Sequence, residues 1–146
     1  MNITSKGRYA LRLMVDLAQQ ADGGYVSLKT CADRQEISLK YLEAIAGELK
    51  RAGLLESGRG KEGGYRLSRA PESYTAGEIL RCMEESLAPV TCIRSGETGC
   101  ERAAVCPTLP LWQELDALIN RYLDGISLRD LVTGERWKTA AEKNKD

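Results

Sequence analysis

Residues 26–69 read VSLKTCADRQEISLKYLEAIAGELKRAGLLESGRGKEGGYRLSR, and the fold turns on how they are parsed. Val26-Ser27 and Ile37-Ser38 each put an apolar residue in front of a good helix cap. Serine at that position takes up a first-turn amide, and the apolar residue before it packs onto one further in, here Cys31 and Leu42. This predicts one helix over 27–35, a break at Glu36-Ile37, and a second helix over 38–52. Leu42, Ile45, Ala46 and Leu49 share one face of the second helix, and Gly53 stands where a C-terminal cap belongs. Two strand-like pieces, 54–57 and 65–68, then flank a glycine-rich turn carrying Arg59 and Lys61, which predicts a β-hairpin with a basic tip.

Two short helices around a tight turn, followed by a basic hairpin, is the order of a winged helix-turn-helix. A helix that enters the major groove needs a polar face near its N-terminus, opposite the apolar stripe holding it to the body. Ser38, Lys40, Tyr41 and Glu43 supply that face. Lys40 can meet a phosphate or a guanine edge, and Glu43 can accept from cytosine or repel the wrong base. Arg59, with Gly60 and Lys61 beside it, suits a narrow minor groove, and Gly60, Gly63 and Gly64 allow the backbone to turn and approach closely. The bland alternative makes Lys40 and Glu43 a solvated face and Arg59 an ordinary turn residue. Any one residue alone would favour it; the order of elements favours DNA.

Outward from this stretch, a helix is expected over 5–20, apolar on several sides through Tyr9, Leu13, Val15 and Leu17 and ended by ADGG. Tyr74-Thr75 with Glu78, and Ile126-Ser127 with Asp130, have the form of capping boxes with staples to Ile79 and Leu131, opening helices over 75–85 and 127–132. Between them, 107–123 carries Leu111, Leu115, Leu118, Ile119 and Tyr122 along one stripe. The expected class is mainly α with a small β-hairpin. The expected division is a DNA-binding domain over 1–74, a cysteine loop and long helix over 75–134, and a polar tail over 135–146, mobile except where Trp137 pins part of it.

The 146 residues suffice for one core, and the formal charge is zero. Charge is distributed unevenly: residues 1–70 hold twelve Lys/Arg against eight Asp/Glu, and the remainder nine against thirteen. Only the front half is therefore suited to a polyanion. The apolar run 10–18 is interrupted by Arg12 and Asp16 and is too short to span a bilayer, so no secretory signal or membrane partner is expected and the cytoplasm is the expected compartment. With no histidine, Cys-His nucleophiles and imidazole acid–base catalysis are excluded, and no phosphate-binding glycine motif stands between a strand and a helix. An enzyme is not expected.

Residues 91–110, TCIRSGETGCERAAVCPTLP, hold three of the five cysteines: Cys92, Cys100 and Cys106. Thiolates are soft ligands suited to iron–sulfur clusters or zinc. Arg94, Arg102 and a helix start near Pro107 all favour deprotonated sulfur. A structural zinc would want a fourth protein ligand, a redox disulfide would leave one thiol spare, and inert cysteines remain the third alternative. Cys31 and Cys82 lie on apolar helix faces and read as small core residues.

MNITSKGRYALRLMVDLA (1–18), ISLKYLEAIAGELKRAGLLES (37–57) and RGKEGGYRL (59–67) together resemble the Rrf-two (Rrf2) family of bacterial winged-helix regulators, over 1–92 and again over 111–132. The resemblance implies a homodimer joined through the 107–123 helix, and DNA contacts from Ser38, Lys40, Tyr41, Glu43 and Arg59. IscR-like members carry a three-cysteine loop here and bind an iron–sulfur cluster, whereas CymR-like members lack those cysteines. On this feature the chain sides with the IscR-like branch, which implies a repressor acting on an operator in double-stranded DNA and controlling iron–sulfur assembly genes. A 2Fe–2S cluster is the first choice and 4Fe–4S the second. There is a departure: IscR-like proteins place a histidine three residues after the third cysteine, and Leu109 stands there. The fourth ligand stays open among Glu97, Glu101, Glu114, Cys82, a small molecule and the partner subunit. The rival expectation is a metal-free CymR-like or thiol-redox-sensing repressor.

Overall fold

The computed structural model of the chain describes residues 2–20, 22–60, 63–96 and 100–144. Thr4 opens α1 (Ser5–Ala18), its hydroxyl accepting from the Gly7 amide at 3.4 Å. Ala10, Leu13, Met14 and Leu17 of α1 are buried, and the helix packs against α2 (Leu28–Gln35), α3 (Leu39–Arg51), α4 (Ala76–Met83) and α6 (Leu128–Thr133). A helix apolar on several sides belongs at the centre, and α1 lies there.

The turn between α2 and α3 is made by Glu36, which at φ 54° is the one non-glycine with positive φ among the described residues. Both its amide and that of Ile37 close on the Ala32 carbonyl, and Ile37 tucks into the core. At the far end of α3, Gly53 takes φ 81°; its N–H donates to Lys50 O at 2.9 Å, and that of Leu54 to Leu49 O at 2.9 Å. This is a Schellman closure, sealed by buried Leu54.

The hairpin pairs β1 (Leu55–Ser57) with β2 (Tyr65–Leu67) in the register Leu55↔Leu67, Glu56↔Arg66 and Ser57↔Tyr65. Val26 exchanges two backbone bonds with Tyr65, at 2.8 and 2.9 Å, and so fastens the segment before α2 to the wing. Tyr74 fixes the wing's base. Fully buried, its hydroxyl donates to Leu54 O at 2.8 Å and accepts from the amides of Ser68 and Arg69 at 2.9 and 3.2 Å. Tyr74→Phe should therefore cost about 1–3 kcal/mol of stability, because buried backbone groups lose their partner. Urea unfolding monitored by circular dichroism measures it, and an unchanged midpoint would contradict the anchoring role.

Of the predicted caps, Ser38 accepts from Tyr41 N–H, Thr75 from Glu78 N–H, and the Ser127–Asp130 box closes in both directions. Ser27 makes no side-chain cap bond, and the Thr75–Glu78 box is one-sided. The Glu78 carboxylate turns to the Arg69 guanidinium instead, a charged partner that outcompetes a neutral amide.

α5 (Leu109–Asp124) begins two residues later than expected. It buries none of its residues within this chain. Arg81 of α4 clasps its end, donating to both Asp124 oxygens at 2.6 and 3.1 Å and to Asn120 at 2.6 Å. In the 135–144 tail, a 3₁₀ turn (Glu135–Trp137) precedes α7 (Ala140–Lys143), which opens on a complete Thr139–Glu142 capping box. Among the described residues no helix is long and apolar enough to cross a membrane.

Candidate nucleic-acid interface and cysteine loop

Helix α3 is divided as a groove-entering helix must be. Leu42, Ile45, Ala46 and Leu49 are completely buried, while Ser38, Lys40, Tyr41 and Glu43 are all exposed at its N-terminal end. Tyr41 is only partly available: its ring stands edge-on to Tyr9 of α1, centroids 5.7 Å apart and planes at 80°. Lys6 of α1 pairs with Glu48 of α3 at 2.6 Å, so two side-chain contacts hold the helix to its support.

On the wing, Arg59 is exposed beside Gly60, which adopts φ 92°. The tip is closed by Gly58 N–H to Gly64 O and Gly63 N–H to Gly60 O, both 3.0 Å. Gly64 is required by close approach, since a Cβ there would fall 2.2 Å from Val26 O. Lys61 lies outside the described residues. Arg66, on the strand, is already engaged: it pairs with Glu56 at 3.0 Å and covers the Tyr25 ring at 4.5 Å.

Sequence reasoning passed over Asp16, seen only as an interruption in an apolar run. It is 1% exposed. Arg34 of α2 donates to it through two nitrogens, at 2.6 and 3.1 Å, Gln35 at 2.9 Å and the Cys31 thiol at 3.4 Å. Burial works to raise its pKa, yet these hydrogen bonds and the guanidinium charge outweigh burial and hold the carboxyl below its ordinary value. Cys31, desolvated and facing Asp16, is pushed up to about 12, so it is a neutral donor inside the network. The available signal was the lone carboxylate within ALRLMVDLA, which once buried needs a cation or hydrogen-bond donors beside it.

Cys92 is half-buried in a 3₁₀ turn (Thr91–Gly96), Cys100 is exposed, and Cys106 is half-buried just before α5. The Cys106 sulfur lies 3.3 Å from Thr108 Oγ1. That hydrogen bond, with the backbone amides of Thr108 and Leu109, holds the thiol below its ordinary pKa. All five cysteines are free thiols. Among the described residues no three Cys, Asp or Glu side chains stand gathered as a metal-binding group. Glu97, between Cys92 and Cys100, lies outside the described residues. Leu109 offers no donor atom, Glu101 and Glu114 are exposed, and Cys82 is pushed up by burial and by the charges of Glu78 and Glu48, which disfavours the thiolate a metal needs. Three thiols have the soft-donor chemistry a metal centre would need, and among the described residues they do not stand together as one group.

The family model Rrf2, described as an iron-dependent transcriptional regulator, matches residues 3–134. The HTH-type transcriptional regulator IscR of Aliivibrio salmonicida is 39% identical over 143 residues, covering 98% of this chain and 84% of that protein. Among solved structures, CymR of B. subtilis, the global cysteine regulator, superposes with a TM-score of 0.75 at 35% identity, covering 91% of this chain and 97% of that one. T. potens IscR superposes at 0.74 with 34% identity, covering 96% and 93%.

Proposed function

The chain belongs to the Rrf2 family of DNA-binding transcriptional regulators, and from that premise we propose that it is a homodimeric cytoplasmic repressor whose Cys92, Cys100 and Cys106 hold an iron–sulfur cluster that tunes its grip on operator DNA. It is a regulator and not an enzyme. The observation that carries the DNA reading is the division of α3 into a wholly buried stripe and an exposed polar N-terminal end. In this reading Ser38, Lys40 and Tyr41 meet the major groove edge and its phosphates, and Arg59, with Gly60 and Lys61, enters the minor groove. Residues 1–74 read DNA, 75–134 sense and pair, and 135–146 form the tail. The exposed stripe of Leu111, Leu115, Leu118 and Tyr122 on α5 is the pairing face.

Glu43 contributes by exclusion. An exposed carboxylate facing base edges penalises sequences that cannot donate to it. Glu43→Ala should therefore widen the set of DNA sites bound, read by selection from a randomised operator library; unchanged selectivity would remove Glu43 from readout.

For the cluster, the support is three soft donors in a loop that runs directly into α5, with Cys106 already held toward thiolate. The bound group would supply an iron- and oxidation-sensitive tie between the loop and the pairing helix. A 2Fe–2S centre is preferred to 4Fe–4S, with the fourth ligand unassigned, and the expected targets are iron–sulfur assembly genes by resemblance to the IscR-like branch. Anaerobic purification with iron and sulfide analysis tests it: the wild type should be brown with stoichiometric iron and sulfide, and Cys92→Ala colourless. A second reading, a metal-free thiol regulator, draws on the CymR likeness and the ungathered thiols. A colourless anaerobic protein that resists reconstitution would establish it over the first.

A further inference from the structure

Beside the start of α3, helix α1 presents a cationic edge that the reading above leaves without a task. Arg8 and Arg12 are four residues apart on α1, hence on one face, and both are exposed. Between them Tyr9 makes the edge-on contact with Tyr41 at 5.7 Å, which fixes this face against the N-terminal end of the recognition helix. Arg12 is pre-positioned. Its guanidinium carbon sits 5.5 Å from the Tyr9 ring centroid, its Nε donates to Gln35 Oε1 at 3.1 Å, and a terminal nitrogen bonds the Gln35 carbonyl in the helix-turn-helix corner. Gln35 is in turn held by buried Asp16 at 2.9 Å. Arg8, by contrast, has no carboxylate partner among the described residues.

A helix about 10–12 Å across fills a major groove about 12 Å wide, so the phosphate strands run along its two flanks. The wing, carrying Arg59, follows α3 in the chain; α1 lies against α3 by direct ring contact. We propose that Arg8 and Arg12 form a phosphate clamp on the α1 flank of the recognition helix, a sequence-independent grip that sets the helix's depth and register in the groove. Arg12 gives a rigid contact because three groups already orient it, and Arg8 a mobile one that closes once the backbone arrives. The clamp rests on the DNA reading of α3 and extends it to a helix otherwise occupied with the core.

The test is a salt series of fluorescence-anisotropy titrations, on operator and on random duplex DNA, with full-length wild type, Arg8→Ala, Arg12→Ala, Lys40→Ala and Arg59→Ala. Each phosphate contact contributes about 0.9 to the slope of log K against log salt on B-DNA. Arg8→Ala and Arg12→Ala should each lower the slope by about that amount. They should weaken operator and random DNA alike, so that the ratio between the two holds within about twofold. Circular dichroism melts confirm that each variant is folded, and Arg12→Lys, which keeps the charge, should recover most of the slope. Unchanged slopes in both arginine variants, with Lys40→Ala and Arg59→Ala impaired, would overturn the clamp and leave the winged-helix reading intact. Full binding by all four variants would overturn both, and loss confined to the operator would replace the clamp with base readout.

Discussion

Asp16→Ala is expected to lower folding stability by about 1–3 kcal/mol, the cost of leaving buried donors without their charged acceptor, since the Arg34 side chain is 41% exposed and regains water. A domain of this size has about 5–15 kcal/mol in all, so the variant should melt measurably earlier. The size follows from what remains: Arg34, Gln35 and Cys31 all keep donors pointed at the place the carboxylate held. Asp16→Asn preserves shape and isolates the charge. Because the folded carboxyl titrates below the ordinary value of 3.8, its stabilisation is complete well above that pH. It is lost as the pH falls through the folded value. The wild-type urea midpoint should therefore drop in that acid window, and Asp16→Asn should show a flatter profile there. Equal midpoints for wild type and Asp16→Asn at pH 7 would mean that the carboxylate's charge adds no net stability.

Leu115→Asp combined with Leu118→Asp should convert the protein to monomers and abolish tight operator binding. Leu111, Leu118 and Tyr122 are 57%, 49% and 53% exposed in the single chain, and Leu115 is 36% exposed. An exposed apolar row of this length calls for a cover, and in the proposed dimer a second copy aligned on the same stripe provides one. None of the α5 residues is buried in the chain itself, so the double variant should keep its fold and helix content. Loss of the dimer removes simultaneous grip on two half-sites and with it the avidity gain of about 10²–10⁴ that linked sites provide. Analytical ultracentrifugation with DNA titration measures both. A variant that stays dimeric would move the interface elsewhere.

The winged helix was legible because each element begins with a local signal. The serine and threonine caps and the staples at Leu42 and Ile79 are read within five residues, and their burial in the core matches that reading. The start of α5 lies two residues past the expected one near Pro107. The proline in the first helical turn is instead Pro110, where the missing N–H costs nothing. What escaped altogether depends on residues far apart in sequence. The Tyr9–Tyr41 contact, the Asp16–Arg34 pair and the Arg81–Asp124 clasp join separate helices. A one-dimensional pattern shows each partner only as a polar or aromatic residue on a helix. The cysteine loop is the reverse case: its three soft donors are plain in the sequence, while among the described residues the structure does not gather them into one group.

The iron–sulfur cluster proposed for Cys92, Cys100 and Cys106 matters to function only if it changes affinity for DNA. Anaerobic operator titrations of one preparation, before and after removal of the cluster by chelation, measure that directly, with Cys92→Ala alongside. The two wild-type forms should differ in dissociation constant by about 5–150-fold, the range of a coupling of 1–3 kcal/mol, and Cys92→Ala should match the stripped form under both treatments. Identical affinities for the loaded and stripped wild type would contradict the account.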